Sequence, residues 1–162
     1  MTWSSRIAWF LATGGGWGAI PRAPGTFGTL SGVLLAAAVV ALFPAESGQS
    51  WALLVLLLIT CGVNIVLGPW CERYFGCKDP QPVTIDEVAG YLLTVLIANR
   101  ERQPWLVLLC AFVAFRLFDI IKLPPAKQAE KLPQGWGVLL DDLVSAIYAG
   151  LIVRYGMWLV GW

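Results

Sequence analysis

Five apolar stretches, each close to the length of a bilayer-crossing helix, dominate this chain. They run from about Thr29 to Phe43, Trp51 to Leu67, Val83 to Ala98, Pro104 to Ile121, and Val138 towards Trp158. A helix needs about 17–25 apolar residues to cross the hydrocarbon core, and the first and third stretches are at the short end. The segments between them, such as "PAESGQS", "NRERQ" and "KLPPAKQAEKLPQGWG", carry the Pro, Gly and charge that break helices. Composition agrees: 58% of the 162 residues are hydrophobic and 13% are charged, about half the charge of a soluble domain. The expected fold is therefore a single all-α membrane domain over residues 1–162, with about five transmembrane helices. The N-terminal "MTWSSRIAWFLATGGGWG" reads as a short interfacial or half-inserted helix. Its apolar core is short and no Ala-x-Ala cleavage site follows.

The basic residues orient the chain. With the N-terminus in the cytoplasm, Arg6, Arg22, Arg73, Lys78, Lys122, Lys127 and Lys131 fall on the cytoplasmic side. Only Arg100 and Arg102 fall in an outer loop, and Arg154 near the outer end of the last helix. On this topology the acids converge. Asp86 and Glu87 open the third segment, Asp119 closes the fourth, and the adjacent pair Asp141 and Asp142 opens the fifth. Five carboxylates from three helices thus share one membrane depth. Acids in a first helical turn can simply complement the helix dipole, and Asp119 can pair with Arg116 or Lys122 along one face. Five ionised groups at one depth would repel and need water, cations or protonation, and a bound divalent metal would help most. Oxygen-only ligands suit Mg²⁺, Mn²⁺ or Ca²⁺.

Other chemistries are excluded. The chain has no histidine, which removes the Ser-His-Asp triad and His-based zinc sites. Cys61, Cys71, Cys77 and Cys110 form no paired CxxC motif, and Cys71 lacks the arginine six positions on that a cysteine phosphatase requires. A formal net charge of +1 offers no basic surface for nucleic acid.

A phosphate-binding side is also legible. "PRAPGTFGTLSG" leads into the first helix on the same side as the acids. Its Gly28, Thr26 and Thr29 suit an anion site at a helix start, and Arg22 adds charge. Arg116, inside "FVAFRLFDIIK", has the fork geometry that fits a phosphate. Lys122 lies one turn after Asp119, whereas Lys127 and Lys131 read as topology signals. Metal-holding carboxylates beside phosphate-holding bases make a phosphoryl-transfer or phosphate-hydrolysis constellation. At a membrane face, its substrate is expected to be a phosphorylated lipid.

The stretches "PRAPGTFGTLSG", "KDPQPVTIDEVAGYLL", "FRLFDIIKLPP" and "GWGVLLDDLVSAIYAG" together resemble the phosphatidylglycerophosphatase A family of bacterial inner-membrane phosphatases. The resemblance spans about Pro21 to Gly150 and departs at Leu123 and Ser145, where the family usually has Pro and Ala. It implies Mg²⁺-dependent hydrolysis of phosphatidylglycerophosphate to phosphatidylglycerol and phosphate, at the cytoplasmic leaflet of the inner membrane. It further implies that Asp86, Glu87, Asp119, Asp141 and Asp142 serve as metal ligands and catalytic groups. Arg22, Arg116 and Lys122, with the Thr26 to Thr29 backbone, would hold the phosphate. Asp79 reads as a cap for the third helix. The competing readings are a lipid headgroup phosphotransferase, whose Asp/Gly run with an Ala-Arg pair is not found here, and a cation-binding transporter. The clustering of acids at one end argues against the transporter. Ala146, Ala149 and Gly150 mark close helix packing.

Overall fold

A computed structural model describes residues 2–98, 100, 103–129, 131–133 and 135–161. Among these, every regular element is helical. A short helix α1 (Trp3–Ala12) and a 3-10 turn (Trp17–Ala19) precede α2 (Pro24–Leu42) and α3 (Glu46–Phe75). Then follow α4 (Ile85–Ile97), α5 (Pro104–Ile121), the one-turn α6 (Ala126–Ala129) and α7 (Gly135–Leu159). Proline at the first position starts both α2 and α5, where the missing N–H costs nothing. Gly76, at φ 74°, ends α3 in the left-handed conformation.

Among the described residues four helices, α2, α3, α5 and α7, are long and apolar enough to cross a membrane, roughly the expected count of about five. The third apolar stretch folds as α4, whose 13 residues extend about 20 Å at 1.5 Å per residue, against a hydrocarbon core of about 30 Å. Yet α4 is the centre of the bundle. It packs against α2, α3, α5 and α7, and Val88, Tyr91, Leu92 and Val95 are fully or almost fully buried. A helix walled by protein need not match the bilayer, because its ends meet protein rather than lipid. The Tyr91 hydroxyl donates to the Leu108 carbonyl (3.0 Å), tying α4 to α5.

The length of α3 departs from expectation. The expected loop after Leu67 remains helical to Phe75, straight through Pro69. Burial of Gly68 and Cys71 holds this extension to the bundle, and Trp70 stacks on Tyr74 one turn on (4.7 Å). Trp51 and Trp105 in the N-terminal turns of α3 and α5, and Trp136 and Trp158 near the two ends of α7, are exposed, as interfacial belts require.

The chain leaves α4 through Arg100, which the sequence places in an outer loop and which is buried. Its guanidinium donates to the carbonyls of Val95 and Ala98 and to Ser50 Oγ (2.7 Å), and lies 3.8 Å from Glu46. It thereby satisfies carbonyls that the end of α4 leaves open and latches that end to the start of α3. Burial pulls the guanidinium below its ordinary range, and Glu46 acts in the opposite sense. Arg102 lies outside the described residues. Arg100→Met is expected to cost about 2–3 kcal/mol, as lost charge-assisted hydrogen bonds do. Thermal unfolding in detergent checks this. Activity per folded molecule should persist, because the latch is at the end of α4 away from Asp86 and Glu87.

Candidate active site

The N-terminal turns of α2, α4 and α7 and the C-terminal turns of α5 meet around a cavity of about 470 Å³. All five acids expected at the site line it: Asp86 and Glu87 from α4, Asp119 from α5, Asp141 and Asp142 from α7. Arg22, Thr26, Arg116 and Lys122 line it with them. Adjacent helix positions differ by about 100°, yet Asp141 and Asp142 both line the cavity.

Two of the bases are already engaged by three of the acids. Arg116 Nη1 lies 2.7 Å from Asp119 Oδ2 and 3.3 Å from Glu87 Oε2. Lys122 Nζ lies 2.7 Å from Asp141 Oδ2. Asp86 and Asp142 are 2% and 3% exposed, and neither is ion-paired to a described residue. Asp86 Oδ1 does accept from the Glu87 backbone N–H (3.0 Å). Two carboxylates removed from water with no counter-ion are costly as anions, so these two ask for a cation. The donor set, all oxygen, fits a hard divalent ion. Among the described residues no three acids are gathered into a formed ligand set; what the protein presents is a carboxylate-lined cavity.

Two expected phosphate contacts lie elsewhere. Gly28 and Thr29 are buried between α2 and α4 and are not on the cavity wall. A Cβ on Gly28 would stand 2.3 Å from Thr84 Cβ, so this glycine serves helix contact. The Thr29 hydroxyl sits 2.9 Å from the Gly25 carbonyl and 3.1 Å from Glu87 Oε2, and accepts from Arg116 Nη1 (3.4 Å). It orients the Arg116–Glu87 pair from behind. The groups facing the cavity from α2 are instead Gly25 and Thr26, whose first-turn N–H groups precede the first intrahelical bond (Phe27 N–H to Ala23). A Cβ on Gly25 would be 2.4 Å from Glu87 Oε1 and 2.9 Å from Arg116 Nη2, so a side chain here would displace that ion pair.

Sequence reading missed four contributors. Asp79 and Gln81 line the cavity, whereas Asp79 was expected to cap the third helix. The residue at that cap is Thr84. Thr84 is fully buried and is packed against Gly18 and Gly28, while its N–H donates to Ala12 (3.0 Å). It fixes the start of α4, and with it Asp86 and Glu87, to α2 and to the N-terminal segment. On the other side, Tyr148 donates to the Pro124 carbonyl (2.7 Å) and stacks on Phe118, holding the turn that carries Lys122.

Arg22 (φ 88°) and Lys122 (φ 51°) are the positive-φ non-glycine residues of the described chain, and both are cations facing this cavity. Such backbone is costly for a residue with a Cβ, and strain of this kind clusters where function needs it. Arg22→Gly is therefore expected to be as stable as the natural protein or up to about 1 kcal/mol more so, strain relief being partly offset by unfolded-chain entropy. Phosphate release should fall roughly tenfold, the worth of one charge-assisted hydrogen bond. Unfolding and turnover on the same preparation check both signs.

A profile of the family described as Phosphatidylglycerophosphatase A matches residues 10–157. A Haemophilus influenzae protein named Phosphatidylglycerophosphatase A is 33% identical over 148 residues, covering 88% of this chain and 84% of its own. The Escherichia coli protein of the same name is 29% identical, covering 90% and 80%. A Bacteroides thetaiotaomicron protein provisionally named a phosphatidylinositol-3-phosphatase is 30% identical over 152 residues, covering 93% and 94%. No solved structure matches. With the match running through α2, α4, α5 and α7, and hence through every wall of the cavity, the chain belongs to the phosphatidylglycerophosphatase A family.

Proposed function

We propose that this phosphatase acts on phosphatidylglycerophosphate, releasing inorganic phosphate and leaving phosphatidylglycerol, at the cytoplasmic face of a bacterial inner membrane and with Mg²⁺. The observation that carries the reading is the meeting, in one cavity at one end of the bundle, of five carboxylates with Arg22, Arg116 and Lys122. The names of the relatives from Haemophilus influenzae and Escherichia coli supply the headgroup. The Bacteroides thetaiotaomicron name supports the wider class, a lipid phosphate monoester.

In this reading Asp86 and Asp142, with help from Glu87, Asp119 and Asp141, hold the ion. Lewis-acid polarisation of the phosphoryl group is the chemistry Mg²⁺ supplies when bound. Arg22, Arg116, Lys122 and the N–H groups of Gly25 and Thr26 bind and orient the phosphate. Hydrolysis forms a P–O bond from water and breaks the P–O bond to glycerol; a wall carboxylate takes the water's proton and the departing glycerol oxygen gains one. A carboxylate nucleophile is the alternative to direct attack by water. Trapping of an acyl-phosphate during turnover separates them, and in heavy-oxygen water label in an aspartate would reject direct attack.

The test is phosphate release by purified protein in detergent, with phosphatidylglycerophosphate and phosphatidic acid compared, with Mg²⁺ and with chelator. Metal-dependent release from the first lipid is expected. No release from either lipid with any of several divalent ions would overturn the reading.

A further inference from the structure

The cations placed to receive phosphate are held by carboxylates placed to receive the metal. Lys122 Nζ is 2.7 Å from Asp141 Oδ2, and Arg116 Nη1 is 2.7 Å from Asp119 Oδ2 and 3.3 Å from Glu87 Oε2. A carboxylate lone pair engaged by an ammonium or guanidinium is not open to a metal ion. An arginine or lysine engaged by a carboxylate has less to offer a phosphate. The wall as a whole carries six acids, counting Asp79, against three bases. A phosphate dianion approaching it unaccompanied meets an excess of negative charge.

We infer that Arg116 and Lys122 are exchange counter-ions. They neutralise the carboxylates while the cavity is empty, and they transfer to the phosphate when a divalent cation takes those carboxylates. This rests on the proposed function and adds an order to it. Metal and phosphate are coupled ligands, neither well held alone. Linkage then requires each to strengthen the other by the same factor. Arg22 is the internal control. It lines the same cavity, but among the described residues it has no carboxylate to release. Its removal weakens phosphate binding without freeing a metal ligand.

The experiment is calorimetric titration of the purified full chain in detergent with Mg²⁺, with and without saturating inorganic phosphate, and the reverse. No turnover is involved. The natural protein should bind Mg²⁺ roughly 5–150-fold more tightly with phosphate present, the usual range of such coupling. Lys122→Gln should bind Mg²⁺ alone more tightly than the natural protein and show a smaller phosphate effect. Arg22→Gln should leave the affinity for Mg²⁺ alone nearly unchanged. Equal Mg²⁺ affinity with and without phosphate would overturn the exchange while leaving the phosphatase reading intact. So would an Arg22→Gln gain as large as that of Lys122→Gln, since total cavity charge would then explain both. Weaker binding of Mg²⁺ alone to Lys122→Gln would likewise overturn it. If no Mg²⁺ binds even with phosphate present, the carboxylate site itself is wrong and the inference falls with it.

Discussion

Asp142→Asn is expected to lose phosphate release by about 10²–10³-fold, the scale on which removing one electrostatic group from a transition-state site acts, while the protein becomes no less stable. The two signs come from one fact. Asp142 is 3% exposed and, among the described residues, has no ion-pair partner. A buried charge without a partner opposes folding, so an amide of the same shape relieves the fold as it removes the ligand. Asp86→Asn should behave alike. Asp141→Asn should differ. Asp141 is paired with Lys122 at 2.7 Å, and cutting one side of a buried pair destabilises, so activity and stability should fall together. Unfolding in detergent and phosphate release, measured on all three variants, separate the classes. Half or more of the natural activity in Asp142→Asn would remove Asp142 from the metal site. A marked fall in its stability would mean that Asp142 serves the fold instead.

The convergence of the five acids on one cavity was legible in the sequence because a carboxylate in an apolar run has few innocent explanations. Residues far apart in the chain, Asp86 and Asp142 among them, could be placed at one depth by counting helices alone. The same counting concealed the character of α4. Hydropathy records that a segment is apolar, not whether lipid or protein surrounds it, and α4 is wrapped by four helices. The phosphate loop was misread by one helical turn. The first apolar segment was started near Thr29, yet α2 starts at Pro24, a position that proline marks well. That shift turns "GTFGT" from loop into helix, leaves Gly25 and Thr26 at the cavity, and carries Gly28 and Thr29 into the interior. Thr84 left no local signal. Its partners, Gly18 and Gly28, are more than fifty residues away, and only the fold brings them together.

That contact sets the second large effect. Gly28→Ala is expected to cost about 1–3 kcal/mol, the range for overpacking a tight interior, and to depress turnover in the molecules that remain folded. The added Cβ would stand 2.3 Å from Thr84 Cβ, 2.6 Å from its Oγ1 and 2.7 Å from its Cγ2. The nearest of these atoms is the root of the side chain, so no rotamer change avoids it. Nor can Thr84 retreat, for it is fully buried and its N–H is bound to Ala12. The first turn of α2 must therefore move from α4, taking Gly25 and Thr26 away from Glu87 and Arg116. A reciprocal change tests the cause. Thr84→Gly vacates the space and leaves a residue tolerated at a helix N-cap, so Gly28→Ala should cost much less in that background than alone. Gly62→Ala, whose Cβ meets nothing within 4 Å, is the control and should be neutral or mildly stabilising. A double-mutant cycle on unfolding and turnover reads the coupling directly. Strict additivity of the two substitutions would show that the Gly28–Thr84 contact does not hold the acids of α4 to the phosphate-facing turn of α2.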